Sequence, residues 1–209
     1  MFECVGATAR INLKNNSLQV FQTEFFPLFM SILENEIVDF MPYVFQILGC
    51  LLEGMPEGAL TASPVLQSMF PALMQASLWD GGSIPPLARL VGAYIQRKDA
   101  NKMIIDKVQA ILGLFQKLIN SKANDQHGIY ILNSMVVSLE SAILTPYMPQ
   151  VIKLIFSRIQ KKKTNKVVRG LLMLLSTMIL HYGPSSAINL INSIQPNMFP
   201  MVLEKLQIV

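Results

Sequence analysis

The sequence predicts an all-α fold, an α-α superhelix of the HEAT or armadillo solenoid type with about five helix pairs. Three observations predict it: a proline-centred apolar motif recurs at intervals near forty residues, apolar side chains keep helical spacing, and no β-hairpin signal competes. The motif reads apolar, Pro, any residue, apolar, apolar. It occurs as FFPLFMSILE (25–34), MFPALMQASL (69–78), KVQAILGLFQ (107–116), YMPQVIKLIF (147–156) and MFPMVLEKLQ (198–207), with Gln109 standing once for the proline. The anchors at 27, 71, 109, 149 and 200 are spaced by 44, 38, 40 and 51 residues. Proline is tolerated in a first helical turn, where its missing N–H would have had no partner, so each copy is read as a helix start. A further copy, MPYVFQIL (41–48), opens the next pair and shows that the period is imperfect. Helix pairs of this length bury their apolar faces only against neighbouring pairs.

Taken in chain order, the expected helices cover 2–14, 19–34, 36–53, 64–76, 85–98, 102–121, 126–140, 145–160, 165–183, 185–194 and 196–207. Ile104, Val108, Ile111, Phe115 and Leu118 step by four, three, four and three, which sets them on one helix face. Met148, Val151, Ile155 and Ile159 do the same, with Gln150, Lys153, Ser157 and Gln160 as a polar stripe. Breaks fall at Asn15-Asn16-Ser17, Gly54 to Ser63, Trp79 to Ser83, Lys122 to Gln126 and Gly183-Pro184. The pairs then occupy approximately 1–35, 36–80, 84–121, 125–163 and 165–209 as one array. The last expected helix has no polar capping repeat after it, so the chain is read as a piece of a longer solenoid.

The 209 residues are 52% hydrophobic, enough for a sizeable core, and the mean hydropathy is +0.42. Two uncharged runs, Gly58 to Trp79 and Tyr182 to Leu203, have the length of a membrane span. The first is interrupted by Pro64 and Pro71, the second by Pro184, Pro196, Pro200 and three asparagines, so a soluble chain without membrane insertion is expected. No basic flank precedes an apolar core at the amino terminus, and Cys4 and Cys50 lack CxxC partners. A reducing compartment, cytosol or nucleus, fits this pattern.

Charge is uneven. Residues 1–60 carry seven acids and two bases, whereas residues 141–203 carry seven bases and no acid. The basic run RIQKKKTNKVVR (158–169) crosses from one expected pair to the next. A solvated inter-repeat turn and a contact for an acidic protein partner both fit it. Nucleic acid fits less well, because no aromatic residues are interleaved with the bases and no recognition module is present.

Catalytic patterns are absent from the sequence. His127 and His181 lie far apart and outside any metal-ligand spacing; His181, in HYGP, reads as a complement to a helix carboxyl-terminal dipole. Glu34 and Glu36 would not share a helix face, and no GxGxxG, P-loop or GxSxG string occurs. No enzyme, cofactor or metal is expected. The single tryptophan, Trp79 in SLWDGG, reads as an anchor buried at an inter-repeat corner.

The stretch GLFQKLINSKANDQHGIYILNS (113–134) resembles the central-to-carboxyl-terminal part of export receptors in the importin-β (karyopherin) superfamily. EIVDFMPYVFQILGCLLE (36–53), SIPPLARLVGAYI (83–95) and SIQPNMFPMVLEK (193–205) extend the resemblance over essentially the whole chain. LFQKLINSKAND is the specific part, since helix packing alone would not dictate those polar residues. The sequence departs from the family pattern at Gln109, where proline is favoured, and at Asp80-Gly81, where a bulkier charged pair is usual.

The resemblance implies a receptor that shuttles between nucleus and cytoplasm, binds importin-α as cargo together with Ran in its GTP form, and passes nucleoporins. It implies a solenoid wound around cargo and Ran, of which this chain supplies middle-to-late repeats. A HEAT-repeat scaffold of another protein assembly is the alternative. No family motif transfers individual contacts. The candidate partner-binding residues therefore rest on charge alone: Lys122, Arg158, Lys161, Lys162, Lys163, Lys166 and Arg169.

Overall fold

Apolar spacing of three and four residues produces helix throughout the computed structural model, which describes Gly6, residues 18–161 and residues 163–207. Apart from Gly6, the helix expected over 2–14 lies outside the described residues, as do Cys4 and Lys162. Among the described residues there is no strand, and no helix is long and apolar enough to cross a membrane. The chain divides into two compact units, Met1–Ile104 and Ile105–Val209.

In the first unit α1 (Leu18–Glu34) leads into α2 (Met41–Gly54), followed by α3 (Pro64–Ala72) and α4 (Ile84–Ile95). Short 3-10 turns cover Ala76–Trp79 and Lys98–Ala100. Helix α2 lies along α4, and the pair buries Val44, Leu48 and Leu51 with Leu87, Leu90 and Val91. Each such side chain contributes about 1.5–3 kcal/mol by leaving water. The large polar-tipped side chains find carbonyl partners. The Trp79 indole N–H donates to the Leu73 carbonyl at 2.8 Å, and the Tyr94 hydroxyl donates to the Leu66 carbonyl at 2.7 Å. Trp79 is thus the buried anchor that the sequence predicts.

The unit boundary falls within α5 (Asn101–Asp106). The second unit contains α6 (Val108–Ile119), α7 (Asp125–Ser138), the single turn α8 (Ser141–Leu144), α9 (Met148–Lys161), α10 (Asn165–Tyr182), α11 (Pro184–Asn192) and α12 (Met198–Gln207). Helix α7 packs on both α6 and α10, so two hairpins share one core. The predicted face of Ile104, Val108, Ile111, Phe115 and Leu118 is buried, as are Met148, Val151 and Ile155 of the second face, while its Ile159 is half-buried. Gly128 lets α7 approach α6: a Cβ there would stand 3.1 Å from Leu118 Cβ and 3.3 Å from the Phe115 carbonyl oxygen. Gly183, at φ 82, ends α10 in a conformation that side chains resist, and Pro184 opens α11.

Two readings of the sequence need correction. Proline as a helix start holds at Pro42, Pro149 and Pro200, and Gln109 also stands in a first turn. It fails at Pro27, inside α1, and at Pro71, in the last turn of α3. Apolar residues run upstream of both prolines, and burial of Phe26, Phe29 and Phe70 outweighs the lost backbone bond. The single helix expected over 102–121 is two helices, broken at Lys107.

Candidate functional site

The basic run lies where α9 turns into α10. Helix α9 carries Arg158 and Lys161 in its last turn, where cations complement the carbonyl end of the helix. Lys163 and Thr164 form the break, and the Thr164 hydroxyl accepts a hydrogen bond from the Val167 N–H at 3.3 Å, starting α10. Lys166 follows in the first turn, with Arg169 one turn further along the same face.

These bases do not behave alike. Lys161, Lys163, Lys166 and Arg169 are exposed, and among the described residues no carboxylate lies within ion-pair distance of any of them. Arg158 instead points inward. It is buried with Asp125, the first residue of α7, and its Nη2 donates to Asp125 Oδ2 at 2.8 Å. Arg158 therefore leaves the set of surface candidates: a guanidinium committed to a buried carboxylate is not offered to a partner.

The Asp125–Arg158 pair fixes the geometry of the surface bases. It ties the end of the α6–α7 loop, which carries exposed Lys122, to the last turn of α9, which carries Lys161. Lys166 faces the same place. The His127 imidazole, in the first turn of α7, is held below its ordinary value by burial first and by the positive charge of Lys166 second, with Asp125 opposing. The ion pair thus brings the segment that carries Lys122 to the end of α9 that carries Lys161, while Lys166 acts on His127 from the first turn of α10 and Arg169 follows along that helix.

A second polar network, in the first unit, has no counterpart among the sequence candidates. Arg97, after α4, donates to the carbonyls of Leu52 and Met55 at 2.8 and 3.1 Å and of Pro56 at 2.8 Å. Its guanidinium also holds Asp99, whose Oδ2 accepts from the Leu60 N–H at 3.0 Å. Burial pushes the Asp99 carboxyl up, but the Arg97 and Leu60 hydrogen bonds outweigh it and hold the group below the usual carboxylate range. Arg97 is thus a latch that closes the α2–α3 loop onto the end of α4. A cleft of about 330 Å³ lies beside it, lined by Glu53, Glu57, Gln96 and Lys98 over an apolar floor of Leu52, Met55 and Ala93. Glu53 is already engaged there by Arg89 at 2.6 Å.

Sequence reasoning missed Asp125 and Arg97. The available signals were an acid at the start of a helix in SKAND and the RKD string after a helix. His127 and His181 are not brought together: the first lies at the start of α7, the second at the exposed end of α10. Among the described residues no group of histidines, cysteines and carboxylates could hold a metal ion.

Comparison with known proteins gives this geometry its context. The family model for the carboxyl-terminal part of CAS/CSE proteins matches residues 1–209. Exportin-2 of Oreochromis niloticus is 40% identical over 213 residues, covering 100% of this chain and 22% of the relative. Human exportin-2 is 37% identical over 211 residues, covering 99% and 21%, and that of Drosophila melanogaster is 36% identical over 208 residues, covering 98% and 21%. Among solved structures, the exportin Cse1 in its cargo-free, cytoplasmic state superposes with a TM-score of 0.85 at 26% identity, over 96% of this chain and 21% of Cse1. The all-α, helical-repeat fold class predicted from the sequence is that of this structure. The chain spans about a fifth of the length of the relatives it matches. Because the family model for the CAS/CSE carboxyl terminus matches this chain over residues 1–209, the chain belongs to the CAS/CSE family.

Proposed function

We propose that this chain forms part of the helical-repeat arch of a nuclear export receptor, which binds importin-α as cargo together with Ran in its GTP form and shuttles between nucleus and cytoplasm. The observation that carries the reading is identity of 36–40% to proteins named exportin-2, extending over essentially all of this chain. In this reading the array comprises repeats near 1–35, 36–80, 84–121, 125–163 and 165–209. The role is non-catalytic, and passage through the pore involves nucleoporins.

In this reading the exposed bases Lys122, Lys161, Lys163, Lys166 and Arg169, with Lys162 between them in sequence, form a contact for an acidic surface of cargo or Ran. Opposite charge raises the encounter rate and penalises wrong partners. Export requires a coupling free energy: Ran and cargo each stabilise the receptor conformation that the other binds, and the coupling is reciprocal. Capture of importin-α by the receptor, measured with and without GTP-loaded Ran, tests the proposal. Cargo capture that rises at least tenfold with GTP-loaded Ran is expected, a coupling of about 1.4 kcal/mol. Capture indifferent to Ran would overturn it.

A further inference from the structure

We propose that Thr164 is a phosphoacceptor for a lysine-directed serine/threonine kinase, and that its phosphorylation weakens the positive charge of the basic surface around it. Three lysines, Lys161 to Lys163, precede Thr164 directly, and Lys166 follows two residues later. Kinases that select basic substrates read such charges close to the acceptor, by complementarity with acids around their own substrate groove. They bind the acceptor in extended chain. Thr164 already has that conformation, at φ −130 and ψ 147, in the break between α9 and α10. Lys161, Lys163 and Asn165 around it are exposed and Thr164 is half-buried. A 3.3 Å cap bond to the Val167 N–H, long for such a contact, is what the hydroxyl gives up on entering an active site.

The step is an ordinary phosphoryl transfer. Thr164 Oγ1 bonds to the γ-phosphorus of ATP, the bond from that phosphorus to the bridging oxygen breaks, ADP leaves, and the hydroxyl proton passes to the kinase's catalytic base. The product suits its position. A phosphate at the cap of α10 faces the free amide groups of the first turn, with the exposed Lys161, Lys163 and Lys166 within three residues of it, so it orders the turn rather than melting it. It also adds a charge of about −1.5 to −2 at the middle of the cluster. An acidic partner then meets a less positive surface with a negative group at its middle. This last consequence rests on the reading of the turn as a partner contact; the modification itself does not.

The test uses the purified protein with Mg-ATP and a basic-directed kinase catalytic domain of the protein kinase C type. Mass spectrometry locates the phosphate, and casein kinase II, which prefers acids, serves as the comparison. Phosphate on Thr164 is expected from the first kinase and not the second. Thr164→Ser retains it, and Thr164→Asn, which keeps a capping side chain and so preserves the fold, loses it. A Lys161→Gln/Lys163→Gln variant is expected to be labelled at least fivefold more slowly. Failure to label Thr164, or labelling unaffected by the lysine changes, overturns the site. Binding to importin-α with GTP-loaded Ran is then compared for modified and unmodified protein, beside Lys161→Glu/Lys163→Glu. About tenfold weaker binding of the phosphoprotein at low salt, closing as salt rises, is expected. If Thr164 is phosphorylated but neither phosphate nor charge reversal alters binding, the partner-contact reading falls and the modification site stands.

Discussion

Arg158 at the end of α9 and Asp125 at the start of α7 form a buried ion pair across 33 residues of sequence, with Nη2 and Oδ2 2.8 Å apart. The second carboxylate oxygen of Asp125 is also buried and has no hydrogen-bond partner among the described residues. The pair specifies how the second hairpin of its unit meets the first more than it adds net stability, because desolvating two ions offsets most of their attraction.

Breaking the pair on one side is therefore expected to be far worse than removing it. Arg158→Ala leaves an uncompensated buried carboxylate and costs about 3–5 kcal/mol in urea denaturation, whereas Asp125→Leu with Arg158→Met recovers most of that loss. A single substitution costing under about 1 kcal/mol would show that the pair is solvated.

The Arg97 latch gives the first unit a dependence on acid. The Asp99 carboxyl is held below its unfolded value, so the stability it contributes is fully present above the unfolded value of about 3.9 and is lost as pH falls through the folded one. Thermal melts between pH 6 and pH 2 are expected to show Asp99→Asn with a flatter acid limb than the parent. Parallel acid limbs would remove Asp99 from this role.

Gly128 is predicted to tolerate no side chain beyond a methyl group. A Cβ already meets Leu118 and the Phe115 carbonyl, so Gly128→Leu overpacks the α6–α7 contact and costs about 1–3 kcal/mol or more. Unchanged melting of this variant would mean that the two helices can separate.

Gly183→Ala tests a different constraint. No atom lies near its Cβ position, yet at φ 82 an alanine is strained by about 1 kcal/mol or more. A loss of that size in chemical denaturation is expected, and the same helix content by circular dichroism.

What could be read from the sequence was whatever depends on local periodicity. Val108, Ile111 and Phe115 share a face because a helix repeats every 3.6 residues, and Gly183-Pro184 ends one helix and begins another by backbone constraint alone. Pro27 and Pro149 sit in nearly identical local motifs but in different parts of their helices, because upstream packing, not the motif, decides where a helix begins. The basic surface was visible as composition, while its division was not. Arg158 and Lys161 are one helical turn apart in a run of like charges; only the tertiary position of Asp125 turns one inward and leaves the other exposed. The three carbonyls under Arg97 were equally hidden, since backbone acceptors leave no mark in a sequence.

The central claim is that the exposed bases at the α9–α10 turn meet an acidic partner. Its most direct test is the affinity for importin-α and GTP-loaded Ran, measured between 0.05 and 0.5 M salt, for parent protein and Lys161→Glu/Lys163→Glu/Lys166→Glu. The account predicts binding at least tenfold weaker at low salt, with the parent's salt dependence flattened in the variant. Equal affinity and equal salt slope would contradict it and leave the turn as solvated surface.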